Sequence, residues 1–311
     1  LRLNIGFFTE GSYEGKVPRN HPNMRTDLAW VCATNGTHHP MITLHQLPDN
    51  LYDLGIMIIP KKRRPLLQYD LLSNYKRVCK KVSIMQESTY NYWQDDPLDE
   101  QVWYYNLLAQ MDLIFCHNYV DVKYYNGITN VRAELLPSLM ITDNLSLPEV
   151  KRDGVIIGGN FVSIYGGFDS YQVALSISDN VTAPTTGRMK PEEVQILNHI
   201  PWVSWNDWMK KLNHFYAGVQ LGTPAAGTFN MNCSYLGIPC VGYSNLNTQS
   251  LLHPDTTVEL GDIISAKKIA KKLKNDKNFY QKCSEQTKIL FEKKYSETAF
   301  INHMKDIFRT L

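Results

Sequence analysis

Short apolar runs recur along this chain, separated by amphipathic stretches, and that alternation constrains the fold more than any single motif. In the first half the runs are Leu3–Phe8, Leu54–Ile59, Val82–Met85, Leu113–Cys116 and Arg132–Leu136. Between them, Arg25–Cys32, Leu66–Lys80 and Leu98–Met111 carry helical spacing. Parallel strands need a crossover rather than a tight turn, so this order predicts a doubly wound parallel sheet with helices on both faces.

The alternation breaks once, at Ser146–Gly154, which is polar, contains Pro148 and lacks periodicity; it reads as a linker. Beyond it, strands are predicted at Val155–Ile157, Val181–Pro184, Gly218–Leu221 and Pro239–Tyr243. Helices are predicted at Tyr171–Ser176, Pro191–Leu197, Asn206–Leu212, Thr228–Leu236 and Ala266–Lys274. A last helix, Ser296–Phe308, puts Phe300, Ile301, Met304, Ile307 and Phe308 on one face. The 311 residues therefore divide into α/β domains at 1–148 and 149–296, with a terminal helix, 297–311, expected to pack back on the first.

With 43% hydrophobic and 20% charged residues the chain can fill two cores, which excludes a disordered polymer. The six cysteines form no CxxC and have no histidine at metal spacing, so free thiols and a reduced, cytoplasmic setting are expected (a host cell's cytoplasm if the chain is viral). No apolar run approaches the roughly 18 residues of a membrane span, and no basic-then-apolar leader is seen. A net charge of +2 does not select a polyanionic partner by itself. The absence of a Gly-x-Gly-x-x-Gly fingerprint argues against a dehydrogenase.

The most informative segment runs from Tyr216 to Tyr243. A strand ends near Leu221, the small residues Ala225, Ala226 and Gly227 follow, and a helix opens at Thr228. A phosphate can approach such a backbone. With Thr228 as the expected N-cap, the amides of Phe229 and Asn230 would face it, aided by the helix dipole. A plain strand-to-helix turn needs small residues too, so the spacing alone leaves both readings open. Arg188, after the next strand of this half, would neutralise a phosphate or stand as a solvated surface arginine.

Together with Leu236-Gly-Ile-Pro-Cys-Val-Gly242, this loop and helix resemble the donor-binding signature of GT-B glycosyltransferases, most specifically over residues 200–249. The resemblance implies two Rossmann-like domains and a nucleotide-sugar donor, a UDP-sugar first among them, with no bound metal. It implies that Gly227, Thr228, Phe229 and Asn230 hold the diphosphate while Asn247, Thr248 and Gln249 approach the sugar. Gly158-Gly-Asn-Phe161 resembles the family's Gly-rich opening of the donor domain, which adds Gly159 and Asn160, and Trp202 falls where the base is usually contacted. Many retaining members carry two glutamates eight positions apart. Here Pro224 and Asn232 stand in those places; Asn232 can still bond a hydroxyl, but the stereochemical outcome stays open.

Glycosyl transfer needs a base for the acceptor hydroxyl and stabilisation of the leaving diphosphate. Loops at strand C-termini of the first domain offer Glu10 and Glu87 as bases, and His117 and Asn118 on a third such loop. The plain alternative is a solvated or amide-capping carboxylate. Pro22–Trp30, with Arg25 in it, and Gln86-Glu-Ser88, with Tyr90, Tyr92 and Trp93 behind it, resemble stretches of bacteriophage glycosyltransferases. Asp95, Asp96 and Asp99 read as the acidic start of a helix. The basic groups Lys61–Arg64 and Lys76, Arg77, Lys80 and Lys81, with Tyr92 and Trp93, would suit a phosphate-tracking, base-stacking surface. The phage resemblance thus implies duplex DNA, through a hydroxymethylated pyrimidine, as one acceptor. Lysine runs such as Lys267–Lys277 are more often solvated faces. A saccharide or lipid-linked acceptor stands beside DNA, and a non-catalytic sugar-nucleotide binder is the remaining alternative.

Overall fold

The computed structural model describes residues 3–11, 13–185, 189–223 and 226–311. The chain forms two compact units, residues 1–143 with 300–311, and residues 144–299. Unit 1 runs β1 (Ile5–Thr9), α1 (Thr26–Ala33), β2 (Thr37–Pro40), β3 (Tyr52–Ile59), α2 (Leu71–Val78), β4 (Cys79–Gln86), α3 (Leu98–Leu108), β5 (Leu113–Cys116), α4 (Tyr119–Ile128) and β6 (Ala133–Leu135). Its strands are all parallel, in the order β2-β1-β3-β4-β5-β6. β1 and β5 are buried along their whole length, which explains why they read as unbroken apolar runs. The core on one side gathers Phe8, Met57, Ile84 and Ile114 with Tyr75 and Tyr104 from α2 and α3.

Unit 2 runs β7 (Val155–Ile157), α5 (Gly167–Ala174), β8 (Val181–Pro184), β9 (Asn198–Ile200), α6 (Trp205–Leu212), β10 (Ala217–Gln220), α7 (Thr228–Leu236), β11 (Cys240–Tyr243), α8 (Asn247–Leu252), β12 (Thr257–Val258), α9 (Ile263–Asn275) and α10 (Lys277–Lys294). Its sheet is also parallel, ordered β12-β11-β10-β7-β8-β9. The last helix, α11 (Glu297–Phe308), belongs to unit 1 from Phe300 onward. It buries Phe300, Met304 and Ile307, and His303 Nε2 meets the Leu135 carbonyl at 2.9 Å. Both units are Rossmann-like α/β folds, as the alternation of runs predicts. Among the described residues no helix is long and apolar enough to cross a membrane.

Two predicted helices fall furthest short of their patterns. The one expected from Leu66 starts at Leu71, because Asp70 caps it by accepting from the Ser73 amide at 3.2 Å, and residues 79 and 80 already belong to β4. The one expected at Pro191–Leu197 is a single 3₁₀ turn, Pro191–Gln195, that hands over to β9.

Each sheet reverses its strand order once. β1 lies between β2 and β3, and β7 lies between β8 and β10. In open parallel sheets the loops leaving the strand C-termini part company at such a reversal, and ligands bind in the crevice. The ends of β1 and β3, and of β7 and β10, are therefore the places to look.

Candidate functional site

In unit 2 two turns meet at the reversal. The chain leaves β7 to enter α5 and leaves β10 to enter α7, and each helix is preceded by a glycine in the left-handed region, Gly166 at φ 57° and Gly227 at φ 56°. A Cβ on Gly166 would overlap the Leu221 carbonyl at the end of β10, so the two turns are in contact. Most other helices of this unit are capped by a side chain: Ser204 for α6, Asp262 for α9 and Asp276 for α10. α7 is not. Its N-cap is Gly227, which corrects the assignment of that role to Thr228, now the first helical residue.

The α7 ladder begins with the Met231 amide donating to the Gly227 carbonyl at 3.2 Å, so the amides of Thr228, Phe229 and Asn230 lie ahead of it. Thr228 is only half-buried, which opens this turn to solvent. Beside it, Thr248 is 3% exposed and its hydroxyl has no hydrogen-bond partner among the described residues. A Cβ on Gly227 would overlap that hydroxyl, so Thr248 packs directly on the turn. Amides ahead of the ladder, the positive end of a helix dipole and a hydroxyl unpartnered among the described residues are what an anion site would need. Gly159 and Asn160 follow β7 at the same reversal. Asn160 is fully buried, with neither amide atom bonded among the described residues.

Gln249, Asn230 and Asn232 are engaged within the fold. Asn247, Thr248 and Gln249 are not loop residues; they form the first turn of α8 and are buried. Gln249 donates to the Cys240 carbonyl at 2.9 Å and accepts from Asn230 Nδ2 at 2.7 Å, while Asn230 Oδ1 is buried with no partner among the described residues. Asn232 is 2% exposed; with its amide turned to the orientation that satisfies both atoms, it donates to the Thr228 carbonyl at 3.2 Å and accepts from Trp208 Nε1 at 3.0 Å. Trp202 is 74% exposed. Arg188, Pro224 and Ala225 lie outside the described residues.

Sequence reasoning missed what holds this turn from behind. His253 is buried, with Nε2 facing the Asn230 carbonyl at 2.9 Å and Nδ1 facing the Cys240 amide at 3.3 Å. Burial lowers its pKa to about 4, partly opposed by the Asn230 carbonyl, so the ring is neutral and Nε2 carries the proton.

In unit 1, Glu10 and Glu87 are both exposed at strand C-termini, Glu10 after β1 and Glu87 after β4. The Glu87 amide donates to the Ile59 carbonyl at 2.9 Å, tying its loop to the end of β3. Arg25 is half-buried in extended backbone before α1, bridged to Met140; burial lowers its guanidinium pKa and Asp27 opposes this. It occupies the N-cap position. Trp93 is corrected to a core residue, 8% exposed and edge-on to Tyr104, so it cannot stack a base. Tyr92 is half-buried, under Lys61 Nζ at 5.8 Å from its ring centre. Asn118 is buried and donates to Asp121 at 3.2 Å. His117 lies against Trp30, and burial lowers its pKa to about 4, which removes it as a base that cycles near neutrality.

The basic clusters of unit 1 are largely paired. Arg63 binds Asp96, Arg64 binds Asp99, Arg77 binds Asp49 at 2.5 Å, Lys80 binds Asp53 at 2.8 Å and Lys81 binds Asp112 at 3.1 Å. Of the acidic residues read as a helix start, Asp96 and Asp99 are thus partners of the basic run. Lys61, Lys62 and Lys76 keep no carboxylate partner among the described residues. Among those residues there is also no group of three or more potential metal ligands.

No family model matches the sequence, and no curated protein matches it. Solved structures do match the fold. HepE from Anabaena, in complex with UDP-glucose, superposes with a TM-score of 0.69 at 10% identity, covering 99% of this chain and 100% of that one. An alpha-glucosyltransferase in complex with UDP and a 13-mer DNA containing an HMU base gives 0.61 at 12% identity, covering 98% of each chain. TarM from S. aureus, in a complex containing UDP, gives 0.61 at 11% identity over 82% of this chain, which spans 55% of TarM's length. At these identities the likeness speaks for the fold.

Proposed function

We propose that the chain is a glycosyltransferase that moves a hexose from a nucleotide-sugar donor to an acceptor hydroxyl, with unit 2 binding the donor and unit 1 the acceptor. The observation that carries this reading is the open, uncapped start of α7 at the strand reversal of unit 2. The amides of Thr228, Phe229 and Asn230 and the Thr248 hydroxyl hold the diphosphate. As the bond from the anomeric carbon to the diphosphate breaks, the negative charge growing on the leaving oxygen is met by those dipoles, and the reading assigns no step to a metal. A UDP-sugar is the donor, supported by the shared fold of proteins seen with UDP or UDP-glucose. Glu87 takes the proton of the acceptor hydroxyl as its oxygen bonds to the anomeric carbon, with Glu10 the second candidate.

For the acceptor, hydroxymethylated pyrimidine in DNA draws support from the fold shared with the DNA-bound alpha-glucosyltransferase. A saccharide or lipid-linked acceptor is the second reading; the ion pairs of unit 1 leave fewer unpaired lysines and arginines to meet phosphate. The test is UDP titrated calorimetrically, then UDP release from UDP-glucose, UDP-galactose and UDP-N-acetylglucosamine, with hydroxymethylated duplex, plain duplex or oligosaccharide added. Saturable UDP binding and acceptor-stimulated UDP release are expected. A chain that binds no UDP would sink the proposal.

A further inference from the structure

Arg63 is one of four consecutive basic residues, yet its side chain is fully buried. A guanidinium in such a place is costly unless every partner is in position. Here it pairs with Asp96, donates from Nη2 to Gln86 Oε1 at 2.7 Å and lies over the Tyr104 ring at 4.6 Å, while its Nε has no partner among the described residues. Gln86 is the last residue of β4, immediately before Glu87. With its oxygen held by Arg63, its Nε2 points the other way and donates to the carbonyls of Ser88, at 3.1 Å, and Thr89. The far side of the same loop is fixed as well: the Tyr90 amide donates to Asp121 Oδ1 at 3.0 Å, and Tyr90 stacks on Tyr124 at 4.4 Å. Glu87 thus projects from a short loop clamped on both sides, and the clamp on its strand side ends in a buried charge.

We infer that Arg63 and Gln86 are positioning residues, which set the Glu87 carboxylate by holding the carbonyls of residues 88 and 89 through the Gln86 amide. The inference rests on the proposed role of Glu87. A glutamine is required because only an amide accepts from a guanidinium with one atom while donating to carbonyls with the other. Arginine is required because its planar fork serves Asp96 and Gln86 together, which an ammonium does not reproduce.

The experiment compares wild type, Glu87→Gln, Gln86→Glu and Arg63→Lys in UDP release from UDP-glucose, UDP-galactose and UDP-N-acetylglucosamine with water as acceptor. Gln86→Glu keeps an acceptor for Arg63 but loses the donor to residues 88 and 89, so it holds the fold while freeing the loop. Its expected signature is a kcat lowered about tenfold to a hundredfold, as for a reacting group displaced by about an ångström, with donor KM and melting temperature near wild type. Arg63→Lys lowers kcat similarly, and a failure of that variant to fold leaves Gln86→Glu to decide. Wild-type kcat in Gln86→Glu, with Glu87→Gln impaired, overturns the positioning role alone. Wild-type kcat in Glu87→Gln overturns the role of Glu87 and this inference with it, and a wild type that neither binds UDP nor releases it with water or any of the acceptors named above overturns the proposed function beneath both.

Discussion

Lowering the pH sets His253 against its surroundings, and the consequence for unit 2 can be worked out in sign and size. The folded ring is neutral because Nδ1 already faces the Cys240 amide, with Thr287 Oγ1 at 3.2 Å, while Nε2 spends its proton on Asn230. A second proton on Nδ1 would point one donor at another inside a buried pocket. Burial lowers the pKa from an ordinary 6.5 to about 4, so the unfolded chain takes the proton first. A lowered histidine pKa contributes stability that is complete above pH 6.5 and is lost as pH falls toward 4. At about 1.4 kcal/mol per pH unit, the loss between neutrality and about pH 4.5 comes to roughly 2–3 kcal/mol.

The comparison is with His253→Gln, which cannot titrate and carries every other group unchanged. Because two units need not unfold together, urea unfolding is best followed by hydrogen exchange in peptides from α7 and α10, corrected for intrinsic rates. The variant should be less stable than wild type at neutral pH, and the gap should shrink by roughly 2–3 kcal/mol on acidification. Parallel loss in both proteins would refute the reasoning, and would mean that water reaches the ring or that the Asn230 contact tolerates the charge.

Gly227→Ala should weaken UDP binding at least about tenfold by calorimetry, since a left-handed alanine costs roughly 1–2 kcal/mol and its methyl group meets Thr248 Oγ1. Adding Thr248→Ala should relieve the overlap but not the strain, and unchanged affinity in the single variant would contradict the placement of the diphosphate. Phe300→Ala should destabilise unit 1 by roughly 3–5 kcal/mol, because this residue of α11 is 2% exposed. Calorimetry that shows loss from unit 2 instead would reject the assignment of α11 to unit 1.

What was legible in the sequence follows from where each residue's partners lie. β5, β7, β8 and α7 have the limits read from their own letters: β5 and β7 are buried on both faces and apolar throughout, and α7 is bounded by the left-handed Gly227 and Gly237. β2 is Thr-His-His-Pro, and nothing in those letters announces a strand; His38 and His39 are buried because they meet Thr9 Oγ1 at 3.1 Å and Tyr52 Oη at 2.6 Å, residues far away in sequence. α10 hides for a related reason: of its 18 residues only Cys283, Thr287 and Phe291 are buried, a stripe too narrow to outweigh its lysines.

The site divides along the same line. The turn proposed for the diphosphate was readable because the work proposed for it falls to backbone, and small residues advertise an exposed backbone wherever they fall between strand and helix. Trp93 and Asn232 were misread because a side chain's fate is fixed by long-range partners, Tyr104 for one and Trp208 for the other. Arg63 and Arg64 make the point most sharply, since two adjacent arginines share every local property. One is 65% exposed in its side chain and pairs with Asp99 on the surface; the other is sealed beneath the Glu87 loop by Asp96 and Gln86. The difference is set 22 or more residues away, where β4 ends and α3 begins, so it exists only once the chain has folded. If that buried charge does orient Glu87, the residue that most controls the proposed base is the one that looked most like ordinary surface.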